Sequence, residues 1–332
     1  MKKVLVLGAT GAMGRYLVPE LIDLGYTVTG VGLEEKAPWD NAAYVKGNAF
    51  DKEFLEGLLK EKFDGIVNFM CYGSYSFSDY YKLFLENTDH YIFLSSCRVY
   101  DDKEVPVRET SPRLWDTSED EVLKASHDYC IHKAQDEDLL AACPYDNWTV
   151  VRPATTFSTM RLQLVTLEFK DCVARAMQGK KVVLPIQAKD IPATLSWGGD
   201  VAKMIAHILF KDAAKRETYN VCSAEHQTWE TIASYYHDLV GLEAVWVDKE
   251  DYLKILSPEM KLGTRWQLEY ARLFRRITDN SKILALTGLR QEDMMPMYDG
   301  LKLEISNIPE SYVPTDTNIG LRMDEYLKEH NL

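Results

Sequence analysis

A chain of 332 residues, with 46% hydrophobic and 27% charged residues, is long enough for a large core and ordinary for a soluble globular protein. Its net charge of −13 argues against a generic nucleic-acid or anionic-membrane surface, because phosphates are repelled without a local basic patch. Apolar runs too short for a signal peptide or a membrane span, and six scattered cysteines without a C-x-x-C pair or metal-ligand spacing, predict a cytoplasmic protein with reduced thiols and no metal centre.

Lys3 to Leu7 reads as a buried strand that runs into Gly8-Ala9-Thr10-Gly11-Ala12-Met13-Gly14. Tyr16, Leu17, Leu21, Ile22 and Leu24 then repeat at helical spacing. Strand, glycine turn and helix together make a dinucleotide-binding motif. Gly8 permits the tight turn, Gly11 lets the backbone approach a pyrophosphate, and Gly14 lets the helix pack on the strand. The amides of the first helical turn, including those of Thr10, Ala12 and Met13, face the phosphates.

Thr27 to Val31 is a second strand, after which Gly32, Leu33, Glu34 and Glu35 stand where an adenosine ribose is read. Carboxylates there accept ribose hydroxyls and repel a 2′-phosphate, which favours NAD over NADP. A third strand is expected at Ala43–Val45 and a helix at Asp51–Leu59, with Asp51 as N-cap. Further strands are expected at Asp64–Met70 and His90–Leu94, flanking a helix near Phe77–Leu85. Its aromatic stripe, Tyr80, Tyr81 and Phe84, reads as core or dimer surface.

Residues 101–120 read as a loop, Val122–Ala142 as one long helix, and Trp148–Val151 as a sixth strand. Strands alternating with helices predict an α/β fold with a Rossmann-type doubly wound parallel sheet. The nucleotide-binding part is placed at residues 1–155. Residues 156–332 form a small C-terminal substrate-binding region, interleaved rather than independent. There, helices are expected near Leu162–Met177, Asp200–Leu209, Trp229–Leu239 and Asp279–Leu286, and strands near Val182–Leu184 and Thr194–Ser196. Asp200 is expected as a helix N-cap. The one basic cluster, Arg265, Arg272, Arg275 and Arg276, reads as a solvated helix face.

Tyr129 and Lys133 lie four apart, so on a helix they share a face, and an ammonium beside a phenol lowers its pKa from about 10 toward neutrality. Tyr298 and Lys302 repeat the spacing. Only the first pair follows a strand of the nucleotide-binding half, the one ending in Ser95-Ser96. His127 and His132 read as surface residues, and Cys97 as a small pocket filler.

Four stretches then carry a family resemblance: the glycine loop, Tyr91-Ile92-Phe93-Leu94-Ser95-Ser96-Cys97-Arg98-Val99-Tyr100, Tyr129-Cys130-Ile131-His132-Lys133, and Val151-Arg152-Pro153. In this order they resemble an extended or atypical short-chain dehydrogenase/reductase of the NAD-dependent epimerase/dehydratase type. Residues 194–202 and Asp279-Asn280-Ser281-Lys282 are similar to that family's C-terminal half. The resemblance implies Tyr129 as acid/base, Lys133 on the nicotinamide ribose, and Ser96 on the substrate oxygen. It also implies Phe69 and Arg152 among the cofactor contacts.

The implied reaction is oxidation and reduction at a carbinol carbon of a small-molecule substrate, foremost as an epimerase of a sugar or sugar nucleotide. A net dehydrogenase or reductase of a smaller alcohol, or a non-catalytic NAD(P)- or RNA-binding member of the atypical branch, are the alternatives. Retention of Tyr129 and Lys133 and the acidic balance favour the enzyme. Cys97 and Arg98 occupy the place of the acidic pair of 4,6-dehydratases, and Thr155 that of an asparagine near a substrate diphosphate. A homodimer built on the helices near Tyr80 and Tyr129 is the expected assembly.

Overall fold

A computed structural model describes residues 1–73 and 77–332. The chain forms two compact units. The first comprises Met1–Thr156, Ser196–Ala224 and Thr278–Met294, and the second comprises Phe157–Leu195, Glu225–Ile277 and Met295–Leu332.

The first unit is built on a seven-stranded parallel sheet. Its strands are β1 (Lys3–Leu7), β2 (Thr27–Gly32), β3 (Ala43–Lys46), β4 (Gly65–Asn68), β5 (His90–Leu94), β6 (Trp148–Arg152) and β7 (Glu217–Asn220). They lie in the order β7-β6-β5-β4-β1-β2-β3, and every pair is parallel. The order reverses between β1 and β4, the switch point at which open α/β sheets bind ligands outside the carboxyl ends of their strands. Val4 to Leu7 and β6 are buried throughout, as a sheet covered on both faces requires.

The main helices of this unit are α1 (Gly14–Asp23), α2 (Lys52–Leu58), α3 (Phe77–Leu85), α4 (Tyr129–Ala142) and α5 (Gly198–Ile208). One apolar layer joins Val4, Val6, Leu17 and Leu21 to Val201, Met204 and Ile205 of α5; the other joins Leu5, Leu7, Leu55, Phe84, Tyr91 and Leu140. Asp51 caps α2 through a hydrogen bond from the Phe54 amide at 3.2 Å. The stripe on α3 is used within the chain: Phe84 is buried, and Tyr80 stacks on Tyr72 at 4.5 Å and donates to the Phe50 carbonyl.

Several expectations are corrected. The helix expected over Val122–Ala142 is two helices, Glu121–Ala125 and α4, because His127 adopts φ +54° and Asp128 restarts the ladder as an N-cap. Residues 101–120 include a short helix at Leu114–Thr117, whose preceding Arg113 ties it to Asp116, Glu137 and Asp138 of its own unit. Helix α5 begins at Gly198, so Asp200 lies in its first turn, buried, and Trp197 holds the cap position. A seventh strand, β7, adds to the six expected; its sequence, Glu217-Thr218-Tyr219-Asn220, carries no apolar run.

In the second unit, Val182–Pro185 pairs in parallel with Ala244–Val247, and Pro192–Ala193 pairs antiparallel with Gln227–Thr228. Helices run over Trp229–Val240, Lys249–Leu256, Met297–Ser306 and Asn318–Glu329. The expected helix at Leu162–Met177 is reduced to Val173–Ala176. Leu162, Leu164, Val165 and Leu167 are all buried, a pattern no single helix face produces, and Val165 takes φ +53°. The expected basic helix face is also absent as such: Arg265 is paired with Glu250 and Glu269, Arg272 donates to Val165 and Gln163, and Arg276 is buried.

A recess of about 550 Å³ in the first unit is lined by Lys2, Thr88, Asp89, Asn147 and Lys215 among others. These residues precede β1, β5, β6 and β7, so the recess opens at the amino ends of the strands, opposite the switch point.

Candidate active site

The glycine loop takes its shape from three contacts. Gly8 has φ +76°, and its amide and that of Ala9 donate to the Val31 carbonyl at 3.0 and 2.9 Å, tying the turn to β2. A Cβ at Gly14 would lie 2.5 Å from the Ala9 carbonyl oxygen and 2.6 Å from that of Gly8, so only glycine lets α1 start this close to β1. From α5, a Cβ at Gly198 would lie 2.6 Å from the Ala12 carbonyl oxygen. Met13 offers no side-chain cap to α1, and no acidic residue occupies its first turn. The amides of Gly11, Arg15 and Tyr16 donate to the carbonyls of Gly8, Gly11 and Met13, and the helix start, with no side-chain cap, presents a positive dipole end, the ordinary setting for an anion.

At the carboxyl end of β2 the Thr10 hydroxyl donates to Glu34 Oε2 at 2.5 Å, and the Tyr44 hydroxyl donates to the Glu34 carbonyl at 2.8 Å. A side chain at Gly32 would displace all three, since a Cβ there falls 2.8 to 2.9 Å from Thr10 Oγ1, Glu34 Oε2 and Tyr44 Oη. The Thr10 hydrogen bond holds the Glu34 carboxyl below its usual range. Glu35 turns instead to Lys46, and Leu33 stands 68% exposed beside the loop. The geometry thus separates the two glutamates: Glu34 is joined to the glycine loop and Glu35 is not. Phe69, following β4, is anchored by its amide to the Leu7 carbonyl, with its Cβ against Gly8.

Ser96, Tyr129 and Lys133 meet at the carboxyl end of β5. Ser96 follows the strand, its hydroxyl accepting from the Arg98 amide at 3.2 Å and standing near enough to the Tyr129 phenol to favour its ionised form. Tyr129 is the first residue of α4, placed there by Asp128, whose carboxylate accepts from the Cys130 amide and pairs with Arg98 at 3.0 Å. The Arg98 guanidinium lies over the Tyr129 ring, 5.3 Å from its centroid. One turn later, buried Lys133 donates from Nζ to the Leu94 carbonyl at 2.7 Å and sits over the Phe93 ring.

These positions revise the expected electrostatics. Burial and the neighbouring Cys71 push the Tyr129 phenol up to about 12, against the pull of Ser96 and Arg98. Burial also lowers the Lys133 ammonium. Lys133 is directed at a backbone carbonyl rather than at the phenol, so it does not bring Tyr129 toward neutrality. Arg152 is held by partners of its own unit. It is buried, bonded to both Glu137 carboxylate oxygens, the Tyr100 hydroxyl and the Glu109 carbonyl, and these partners lock β6 to α4.

Three further residues, Cys71, His132 and Asp136, stand beside the site. His132, expected on the surface, is buried, and its Nε2 lies 3.7 Å from the sulfur of exposed Cys71. Its Nδ1 faces buried Asp136 at 3.8 Å, and its ring meets the Tyr129 ring edge-on at 5.4 Å. The available signal was the phase of α4. Tyr129, His132, Lys133 and Asp136 follow i, i+3, i+4 and i+7 spacing, one face of a helix. Cys97 is buried in a small cluster with Val99, Ala154 and Cys222, as a space-filling residue would be.

A sequence model of the NAD-dependent epimerase/dehydratase family matches residues 4–222, about two thirds of the chain. The chain belongs to that family. A search of curated proteins finds no match. Among solved structures of the epimerase type, that of UDP-glucose 4-epimerase from Thermotoga maritima with UDP-glucose is 17% identical, covering 92% of this chain and 97% of that one, with TM-score 0.66. The Thermus thermophilus UDP-glucose 4-epimerase complex with NAD is 16% identical over 93% and 100%, TM-score 0.65. The same values hold for the Bacillus cereus UDP-glucuronic acid 4-epimerase with UDP-glucuronic acid and NAD. At this identity the likeness shows the fold, a Rossmann-type sheet shared with these epimerases. Among the described residues no helix is long and apolar enough to cross a membrane, and no cluster of His, Cys, Asp and Glu could hold a metal ion.

Proposed function

We propose that this epimerase/dehydratase-family member binds NAD and epimerises a carbinol carbon of a sugar or sugar nucleotide, with Tyr129 as acid/base. The observation that carries the reading is the convergence of Ser96 and Tyr129 at the carboxyl end of β5, with Arg98 over the tyrosine ring, beside a glycine loop whose helix start has no side-chain cap. The ligands of the similar solved structures, UDP-glucose, UDP-glucuronic acid and NAD, support the substrate class.

The residues present fit the dinucleotide. Gly8, Gly11, Ala12, Met13 and Gly14 would face its pyrophosphate, and Glu34, held by Thr10 over Gly32, its adenosine ribose. Lys133 has three donors, of which Leu94 takes one, leaving the others for the nicotinamide ribose. When bound, NAD would supply reversible hydride exchange at the carbinol carbon and, in its oxidised form, a positive charge that favours phenolate. Tyr129 would take the hydroxyl proton and later return it. Ser96 would hold the same oxygen, and Arg98 over the ring would stabilise the phenolate. With a pKa near 12 in the protein alone, Tyr129 waits as the acid.

The test is a screen of UDP-sugars with catalytic NAD, products being resolved by chromatography and proton NMR. Epimer formation without net NADH accumulation is the expected result. Stoichiometric NADH formation from an alcohol would replace this reading by a net dehydrogenase.

A further inference from the structure

Outside the Ser96–Tyr129–Lys133 set, the first unit carries a second chain of reactive groups: Cys71 on the loop after β4, then His132 and Asp136 on α4. Cys71 is exposed, while His132 and Asp136 are 6% and 4% exposed. The two imidazole nitrogens face opposite partners, Nε2 the sulfur at 3.7 Å and Nδ1 the Asp136 carboxylate at 3.8 Å. Neither His132 Nδ1 nor Asp136 Oδ2 has a hydrogen bond, so two buried polar atoms face each other 3.8 Å apart.

From this geometry we infer that Cys71 is a covalent-modification site, an exposed nucleophilic thiol poised by His132 and Asp136 to capture α,β-unsaturated carbonyl compounds. The surroundings favour the charged pair. His132, Lys133 and the Gly73 amide all draw the thiol below its usual range, against burial. Asp136 and Cys71 together hold the imidazole above its usual range, also against burial. Among the described residues, Tyr129, Tyr91 and Glu137 also face this chain.

In the reaction the thiolate sulfur forms a bond to the β-carbon. The π pair of the alkene moves to the α-carbon, which takes the proton of His132 Nε2. No oxidant or leaving group is needed. The nucleophile is the thiolate, so reactivity follows the fraction ionised at the working pH. Cys143 is the natural internal reference: it is only partly buried, and its thiol donates to the Tyr145 carbonyl rather than to a histidine. The inference places Cys71 beside the proposed acid/base Tyr129 and so rests in part on that reading, but its test reads sulfur chemistry and not turnover.

The experiment treats the full chain with acrylamide from pH 5.5 to 9 and measures alkylation of each cysteine by peptide mass spectrometry. At pH 7, Cys71 should react about tenfold faster than Cys143 or more, with half-maximal rate below the pH of about 8.5 of a free thiol. His132→Gln should slow Cys71 about tenfold and move its profile toward that of a free thiol, while Cys143 stays unchanged. If His132→Gln does not fold, the wild-type profile decides alone. Cys71 labelling no faster than Cys143, or a profile centred at the free-thiol value, overturns the inference. Tyr129→Phe should leave Cys71 labelling fast, so a failed epimerase assay with intact labelling rejects the proposed function and not this site.

Discussion

Burial keeps Tyr129 a neutral phenol through the physiological range, and Ser96 and Arg98 are the groups positioned to ease its ionisation. Tyr129→Phe retains the ring against His132 and Arg98 and removes only the hydroxyl. Turnover should fall by about 10²–10⁴-fold while dinucleotide binding, read by calorimetry, survives. Tyr298→Phe, in the second unit, should change neither quantity. At the other end of the site, NAD should bind more tightly than NADP, and Glu34→Arg should narrow or invert that order; a wild-type preference for NADP would remove Glu34 from the ribose site. His90 makes a separate, structural prediction. Its Nδ1 accepts from the Phe210 amide at 2.8 Å, and its Nε2 lies 2.8 Å from Thr149 Oγ1, which in turn donates to the Ala214 carbonyl. This arrangement requires the neutral ring, and burial lowers its pKa from 6.5 to about 4. The unfolded chain therefore binds the extra proton first. The stability that His90 contributes is complete above pH 6.5 and is lost as pH falls toward 4, amounting to about 3 kcal/mol at most. Urea melts at pH 7 and pH 5 should differ in midpoint in that direction, and His90→Gln should flatten the difference.

Among the elements, those with strong periodicity or punctuation were legible and those set by a single residue were not. Glycines and a buried run marked β1, the loop and α1, because each glycine there answers a steric demand measurable at the Cβ position. The start of α4 was missed, since His127 in a left-handed conformation leaves no trace in hydrophobic spacing. That start matters more than its length suggests: it makes Tyr129 the first helical residue and lets Asp128 join the cap to Arg98. Asp128→Ala should cost about 1 kcal/mol in denaturant melts, as loss of an N-cap does, and should also loosen Arg98 over the tyrosine. A melt unchanged by the substitution would mean that the Arg113–Asp138 and Arg113–Glu137 pairs hold α4 unaided. The Tyr129–Lys133 spacing was read correctly as one face, but spacing cannot say where an ammonium points. Lys133 turned to Leu94 because a buried ammonium needs an acceptor and the end of β5 supplies one.

For the whole molecule, the parallel sheet, its doubly wound order and the family were legible, since four motifs in order constrain topology far more than any one does. The second unit was less so: its strands are two to four residues long, and its buried segment at 162–172 has no regular period. Assembly is a prediction at this scale. Light scattering at micromolar concentration should report a dimer; a monomer would show that α3, already packed on Tyr72 and Phe50, has no further partner.

The first unit is drawn from three separate stretches of sequence, and that has a consequence for how the protein is made. On a ribosome, β1 and α1 emerge early, yet Val201, Met204 and Ile205 of α5, which cover them, arrive almost 200 residues later. Strand β7, which closes the sheet edge at β6, comes later still. Until then one apolar face and one strand edge stand open to water and to other nascent chains. The nucleotide-binding unit can therefore mature only after much of the second unit has been synthesised. A fragment ending at Thr156 should aggregate or remain partly unfolded by circular dichroism, whereas one joining Met1–Thr156 to Ser196–Ala224 through a short linker should gain cooperative melting.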